Sequence, residues 1–353
     1  MSAPEFSIVI PTRNGERYLG ATIESVLAQH YPHWRLRILE SGSTDGSCAL
    51  VQRYLSDPRI ALHSTPADQP PLDIIGNWAR ILQLDLSEYL TILGHDDLLS
   101  ADFLAEIAAL IAAEPNASLW LTHFYLIDSD GALIRPCKAL PARLDADAYL
   151  LGLHMRRFES YATGYVMRSA DYVRLGGIPP LRNLLYADLL LWYRLTSLSY
   201  LACSPRYAFS YRVHAQSMSF AMQLSDWYTA SEEYLQALAA SAHFEDETHR
   251  EAAYACVAHE LKRAFYRSLA TLIAEGDAAQ RRAFERVRRE IAARAARAGI
   301  TGYYDWRSAL LRLIAYLPSR RLRRAFITRL MRARRLAQRA QADRSRLPSA
   351  DRQ

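Results

Sequence analysis

The chain has 353 residues, half of them hydrophobic and 23% charged, which suits a globular α/β domain with an appendage. Its formal charge of +6 is uneven: residues 318–346 hold eleven arginines against one acid, Asp343, leaving the remainder net acidic. The four cysteines (Cys48, Cys137, Cys203, Cys256) are far apart and form no C-x-x-C pair, which excludes a zinc finger and fits a reducing compartment. No apolar run reaches the roughly 18–20 residues of a membrane span, and "MSAPEFSIVIPTRNG" lacks a basic lead into an apolar stretch, so a cytoplasmic protein without a signal peptide is expected.

In chain order, "FSIVIP" (6–11) is a short apolar strand stopped by Pro11, with Asn14 and Gly15 as turn residues. Leu19, Ile23, Val26 and Leu27 recur at helical spacing over 17–29. "LRILES" (36–41) is a second strand, and "GSTDGS" after it supplies Ser43, Thr44 and Asp45 as caps for a helix through Leu55. A strand at 59–64, a helix near 74–84 and a strand at 89–93 follow. This βαβαβαβ order predicts a largely parallel sheet with helices on its faces, binding ligands at the carboxyl ends of its strands. Thr12, Glu40 and the turn 94–97 then share one edge. Beyond a helix at 101–114 come a strand at "SLWLTHFYLID", a strand at 162–168, a glycine stop at 175–177, a helix near 186–197 and a late strand "YAFSYRVH". From about 221 the pattern turns helical, so a domain at 1–220, a helical appendage at 221–317 and an arginine-rich helix and tail at 318–353 are expected.

Several of these positions carry chemistry. "GHDD" places Asp96 and Asp97 side by side after an apolar strand; they suit a hard divalent cation, Mn²⁺ or Mg²⁺, or else a solvated turn with Asp97 as a helix cap. Glu40 at a strand end can accept hydrogen bonds from a base or ribose, or stand as an exposed acid before a capped helix. Asp188 lies in the apolar run "LLYADLLLWYRL", where a carboxylate needs a task or an ion pair with Arg182 or Arg194. His214 ends "YRVH", as a ligand or as a structural histidine.

Taken in order, P-T-x-N-G, G-S-T-D-G-S, an acidic pair after a strand, L-G-G…Y-A-D…W…R-L and Y-R-x-H-x-x-S-x-S resemble the family 2 glycosyltransferases of GT-A fold, over roughly residues 5–220. The nearest likeness is to bacterial members that build surface polysaccharides. The resemblance implies a Rossmann-like, mostly parallel sheet with helices on both faces. It also implies transfer of a sugar from a nucleotide-diphosphate donor to an acceptor hydroxyl, inverting and metal-dependent. By that likeness Thr12 and Glu40 line the nucleoside pocket, Asn14, Ser43 and His95 join them as donor-binding residues, and Arg80 lies near the ribose or phosphates. Asp96 ligates the metal with Asp97 beside it, His214 approaches the metal or diphosphate, and Asp188 is the catalytic base. Two positions depart from the pattern. Glu40-Ser41 stands where the family has an acidic pair, and Gly94 stands where its D-x-D has the first aspartate.

The segment 318–346 carries Leu322, Phe326, Leu330 and Met331 on one helical stripe between arginines. It suits peripheral contact with an anionic membrane, where a lipid-linked glycan acceptor would lie, or a solvated tail. Nucleic acid is not an expected partner. Two rivals differ in class: a sugar nucleotidylyltransferase, for which "PTRNGERYLG" is a poor phosphate loop, and a non-catalytic sugar-nucleotide-binding or scaffold protein.

Overall fold

The computed structural model describes residues 3–66, 68–214 and 222–317, with 319, 321–323 and 325 beyond them. These form two units, Met1–Met222 with Thr229–Ala253, and Gln223–Tyr228 with Tyr254–Gln353. The expected boundary near 220 therefore lies close to the first change of unit, but residues 229–253 group with the N-terminal unit. The expected helix in 318–346 lies almost wholly outside the described residues.

In the first unit, strand β1 (Phe6–Thr12) is apolar and buried along its whole length, as the inner strand of a parallel sheet should be. It leads through a tight turn into helix α1 (Glu16–Leu27) and lies between β2 (Trp34–Glu40) and β4 (Tyr89–Ile92). Helix α2 (Ser47–Gln52) leads to β3 (Ile60–Ser64) at the sheet's edge, and α3 (Ile74–Ala79) crosses back to β4. The register pairs Thr12 with Glu40 and Glu40 with Ser64, so these strands end together. Up to this point the sheet is parallel, as the alternating pattern predicts.

Past β4 the sheet becomes mixed. A short strand β5 (Leu98–Leu99) and helix α4 (Phe103–Ala113) lead to β6 (Leu119–Ile127), which has the hairpin partner β7 (Leu133–Pro136). Strand β8 (Arg143–Leu144) and helix α5 (Ala146–His154) precede β9 (Tyr165–Arg168), which inserts antiparallel between β4 and β6. Helices α6 (Ser169–Arg174) and α7 (Ala187–Thr196) then lead to β10 (Leu201–Arg212), parallel to β6. The order is β3-β2-β1-β4-β9-β6-β10-β5. Reversal of β9 brings the loop before it, Tyr161–Gly164, to the same edge as the ends of β4 and β10. The core between sheet and helices is led by Phe6, Ile8, Ile10, Trp34, Phe103 and Trp120, all essentially inaccessible.

Helix α8 (Leu224–Ala239) ends near a buried histidine group. His154 Nε2 lies 2.8 Å from the Tyr234 hydroxyl, and His243 Nδ1 lies 2.7 Å from Asp147. The His243 ring stacks near His249 with centroids 4.2 Å apart. Burial, and then the proximity of His243 and His249, pull His154 down to about 3 from 6.5. The unfolded chain therefore binds a proton here that the folded chain refuses between pH 6.5 and 3, so this site removes stability as pH falls through that window. Thermal melts of His154→Gln should show a smaller loss of midpoint between pH 7 and 5 than the parent chain. Parallel slopes would mean that His154 is not the group responsible.

The second unit is helical: α9 (Glu247–Glu275), α10 (Ala278–Arg297) and α11 (Trp306–Ala315), the last two started by capping boxes at Asp277 and Asp305. Only the part of α9 from Tyr254 onward belongs to this unit. Buried Glu285 ties α10 to α11 by accepting from Arg312 at 2.6 and 3.1 Å and from Arg288 at 2.9 Å. No described helix is long and apolar enough to cross a membrane.

Candidate active site

The ends of β1, β2, β4 and β10 meet along one edge, and the acidic turn after β4 is its centre. Helix α1 holds that turn from beneath, because Thr22 Oγ1 donates to the carbonyls of His95 and Asp97, at 2.9 Å each. Arg212, at the end of β10, holds it from the side. Its Nε donates to the Asp96 carbonyl at 2.7 Å and its backbone N–H to Asp97 Oδ1 at 2.9 Å.

The two aspartates separate in role. Asp97 is buried, and its second oxygen accepts from Thr163 Oγ1 at 2.6 Å. Burial and the neighbouring Asp96 charge push its carboxyl well above the ordinary range. With both oxygens occupied, Asp97 joins the β4 turn to the 161–164 loop and to β10. Asp96 is partly open, and its Oδ2 lies 2.8 Å from His214 Nε2. Burial would raise its carboxyl, but the hydrogen bond from His214 and the nearby imidazoles of His95 and His214 outweigh that and lower it. Adjacent like groups driven apart in this way are typical of working carboxylate pairs.

Among the described residues no group of three or more His, Cys, Asp or Glu side chains could by itself hold a metal ion. Asp96 and His214 do converge on one point, and His214 Nδ1 and the Tyr18 hydroxyl beside it are buried without partners. This donor pair fits a hard divalent ion as part of a shell, with the remaining positions left to substrate oxygens.

The ends of β1 and β2 are tied together by their own side chains. Asn14 and Ser43 bind each other's loops: Asn14 N–H donates to Ser43 Oγ at 2.9 Å, and Thr44 N–H donates to Asn14 Oδ1 at 2.8 Å. Their side chains knit the β1 and β2 loops together. Arg80 likewise turns inward, donating to the carbonyls of Glu40 at 2.9 Å and His63 at 2.6 Å, so it clamps two strand ends. Glu40 is buried and accepts from the Ser43 N–H. Thr12 is buried, and its Oγ1 lies 3.3 Å from Nδ1 of His95, which neighbours Asp96 in the turn.

Asp188 starts α7 after a strained approach. Asn183, Leu184 and Tyr186 all have positive φ, 53°, 56° and 62°, a conformation costing of order 1–3 kcal/mol per residue and concentrated at functional sites. The stacking of Tyr186 on Tyr234, with centroids 4.9 Å apart, and the Arg182 N–H to Glu233 bond of 2.6 Å hold this approach in place. Asp188 makes no ion pair with Arg182 or Arg194. Burial raises it to about 6, against the partial relief given by the N–H groups of Leu189 and of its own backbone.

An aromatic pair joins the two acidic ends. Tyr161 stacks on Tyr211 with centroids 3.7 Å apart, and Trp192, one turn along α7 from Asp188, donates to the Tyr161 carbonyl at 3.1 Å. Burial and then the charges of Asp97 and Asp96, with smaller effects from Tyr161 and Asp188, drive the Tyr211 phenol well up. Sequence reasoning missed Thr22, Tyr161, Thr163 and Tyr211. Only Tyr211, inside "YRVH", sat in a stretch that drew notice; nothing in "YATGY" marks Thr163 as a carboxylate clamp.

Residues 7–158 match the profile described as Glycosyl transferase family 2. An uncharacterized glycosyltransferase of Haemophilus influenzae is 35% identical over 105 residues, covering 29% of this chain and 40% of that protein. A PGL/p-HBAD biosynthesis glycosyltransferase of Mycobacterium bovis is 33% identical over 122 residues, covering 34% of this chain and 46% of that protein. The matches thus span less than half the length of these curated relatives. Among solved structures, S. aureus TarS 1-349 in complex with UDP superposes with a TM-score of 0.54 at 14% identity, over 74% of this chain and 72% of that one. The mannosyltransferase PcManGT from Pyrobaculum calidifontis, in complex with GDP-Man and Mn²⁺, gives 0.51 at 17% identity, over 89% and 86%. These two show a shared fold, the GT-A-like sheet with helices. Over residues 7–158, then, the chain matches glycosyl transferase family 2.

Proposed function

We propose that this chain moves a sugar from a nucleotide-diphosphate donor to an acceptor hydroxyl, with inversion, in the assembly of a bacterial surface polysaccharide or glycolipid. The observation that carries the reading is the fixed strand-end turn in which Asp96 meets His214 at 2.8 Å, joined to the Asp188 helix α7 by the Trp192 bond to the Tyr161 carbonyl and the Tyr161–Tyr211 stack. A carboxylate poised near neutrality suits a general base, and one held ionised beside an imidazole suits the diphosphate end. Complexes of structural neighbours with UDP and with GDP-Man support a nucleotide-sugar donor.

In this reading Asp188 accepts the proton of the acceptor hydroxyl as its oxygen attacks the anomeric carbon. The bond to the diphosphate breaks on the opposite face, and its electron pair stays with the departing phosphate oxygen. Asp96 and His214 would hold a divalent ion with the donor's phosphate oxygens; that ion would supply Lewis-acid stabilisation of the leaving group. Arg212 and Thr22 keep the Asp96 turn fixed, so that its carboxylate need not reorganise during reaction. Thr12, Glu40 and His95 border the donor's nucleoside side. The four free thiols support work in the reducing cytoplasm, and the basic 318–346 segment supports contact with the inner membrane face, where a lipid-linked acceptor would be presented.

Calorimetry with a panel of UDP- and GDP-sugars, with and without Mn²⁺, tests this. One donor should bind in a metal-dependent way and be slowly hydrolysed. Binding that is indifferent to metal and never followed by hydrolysis would instead favour a non-catalytic sugar-nucleotide-binding protein.

A further inference from the structure

We propose that the second unit docks on an anionic phospholipid surface through one face built by α10 and α11. This surface is distinct from the 318–346 segment. Helix α10 holds seven arginines against two glutamates. Several are spent internally: Arg288 on Glu285 at 2.9 Å, Arg281 on the Gly276 carbonyl at 2.9 Å, and Arg294 near Glu290 at 3.7 Å. Arg282, Arg286 and Arg289 are not. They stand at i, i+4 and i+7, on one side of the helix, exposed and, among the described residues, without a carboxylate partner.

Those three arginines, Glu285 and Tyr316 line an open recess of about 430 Å³. From Tyr316 an apolar strip continues along α11. Leu313 is 69% exposed, Tyr316 48% and Leu310 38%, and their spacing puts them within one third of the helix circumference. Buried Glu285 fixes this strip against the arginine row by binding Arg312 and Arg288 together. Leucines left in water beside uncompensated guanidinium groups match the two layers of a bilayer interface, acyl boundary and phosphate headgroup. The chain's own 318–346 segment is a poor occupant, since eleven arginines would face three more. A nucleic acid would leave the leucines without apolar cover.

The test uses the full chain, without any sugar nucleotide, so its outcome is independent of the transfer reading. Sedimentation is measured with phosphatidylcholine vesicles and with vesicles containing phosphatidylglycerol. The chain should pellet only with the latter. The triple variant R282Q/R286Q/R289Q should lower partitioning by at least roughly tenfold. Leu313→Ser should weaken it several-fold, and that loss should persist in high salt, because the leucine contribution is unscreened. All four residues are at the surface, so melting curves should match the parent chain. Unchanged partitioning of the triple variant would overturn the proposal and leave vesicle binding to other residues. So would a variant that loses duplex DNA binding while vesicle binding stays intact, or a Leu313→Ser chain that loses only a dimer in sedimentation velocity.

Discussion

Asp188→Asn will abolish sugar transfer, leave donor binding intact and make the protein more stable at neutral pH. The first part follows from the proposed general-base role, since losing a positioned proton acceptor costs typically 10²- to 10⁴-fold in rate. The third follows from linkage. Asp188 titrates at about 6 in the fold against 3.8 when exposed. Between those values the folded chain holds a proton that the unfolded chain has released, so stability falls as pH rises from 4 to 6 and remains lower above 6. Asparagine carries no charge to desolvate and should recover about 1–3 kcal/mol at pH 7–8 and almost nothing at pH 4. Melting curves at the two pH values check the linkage, and calorimetry with the donor checks binding. In the parent chain the transfer rate should climb through pH 6. A variant that still transfers at full rate would remove Asp188 from the mechanism.

Gly94→Asp, which restores the acid that the family pattern has at this position, will damage the site and will not improve it. A Cβ on residue 94 would lie 2.6 Å from Asp97 Oδ2 and 2.8 Å from Asp96 Oδ1. Such contacts are harmless when the other atom can swing away. Here Asp97 is buried and clamped by Thr163 Oγ1 and the Arg212 N–H, so moving it breaks a buried hydrogen bond. The expected cost is about 1–3 kcal/mol, and because the Cβ alone is responsible, Gly94→Ala should show a similar loss. Thermal midpoints of both variants, with transfer rates, make the comparison. Higher turnover by Gly94→Asp at an unchanged midpoint would mean that the turn is looser than this clamp implies. The glycine is therefore matched to this chain's own arrangement, because only a residue without a Cβ leaves room for Asp97 to fold back.

How much of this was legible in the sequence varied with the range of the interactions. Strands 6–12, 34–40, 60–64 and 89–92 announce themselves because each is a short apolar run closed by a turn signal. The alternation with helices then requires a parallel sheet, and a parallel sheet puts Thr12, Glu40 and Asp96 at one edge. Asp188 was visible because a carboxylate in an apolar helix needs a reason to be there. The short strands at 133–136 and 143–144 and the helix at 146–154 carried no comparable pattern. Nor did the reversal of 165–168 within the sheet, since strand direction depends on long-range pairing and leaves no local mark.

By itself, then, the sequence determined the strand-end geometry, the presence of a carboxylate at each end of the site and the concentration of charge in 318–346. These follow from hydrophobic period and turn chemistry, which act over a few residues. Only the tertiary structure decided what each polar group is free to do. Asn14, Ser43 and Arg80 join loops and strand ends, and Asp97 holds three segments together, while Asp96 stays partly open to solvent. A polar side chain's availability depends on which donors the fold delivers to it. Thr163, Arg212 and Thr22 arrive from 66, 115 and 75 residues away from Asp97, beyond anything a local pattern encodes.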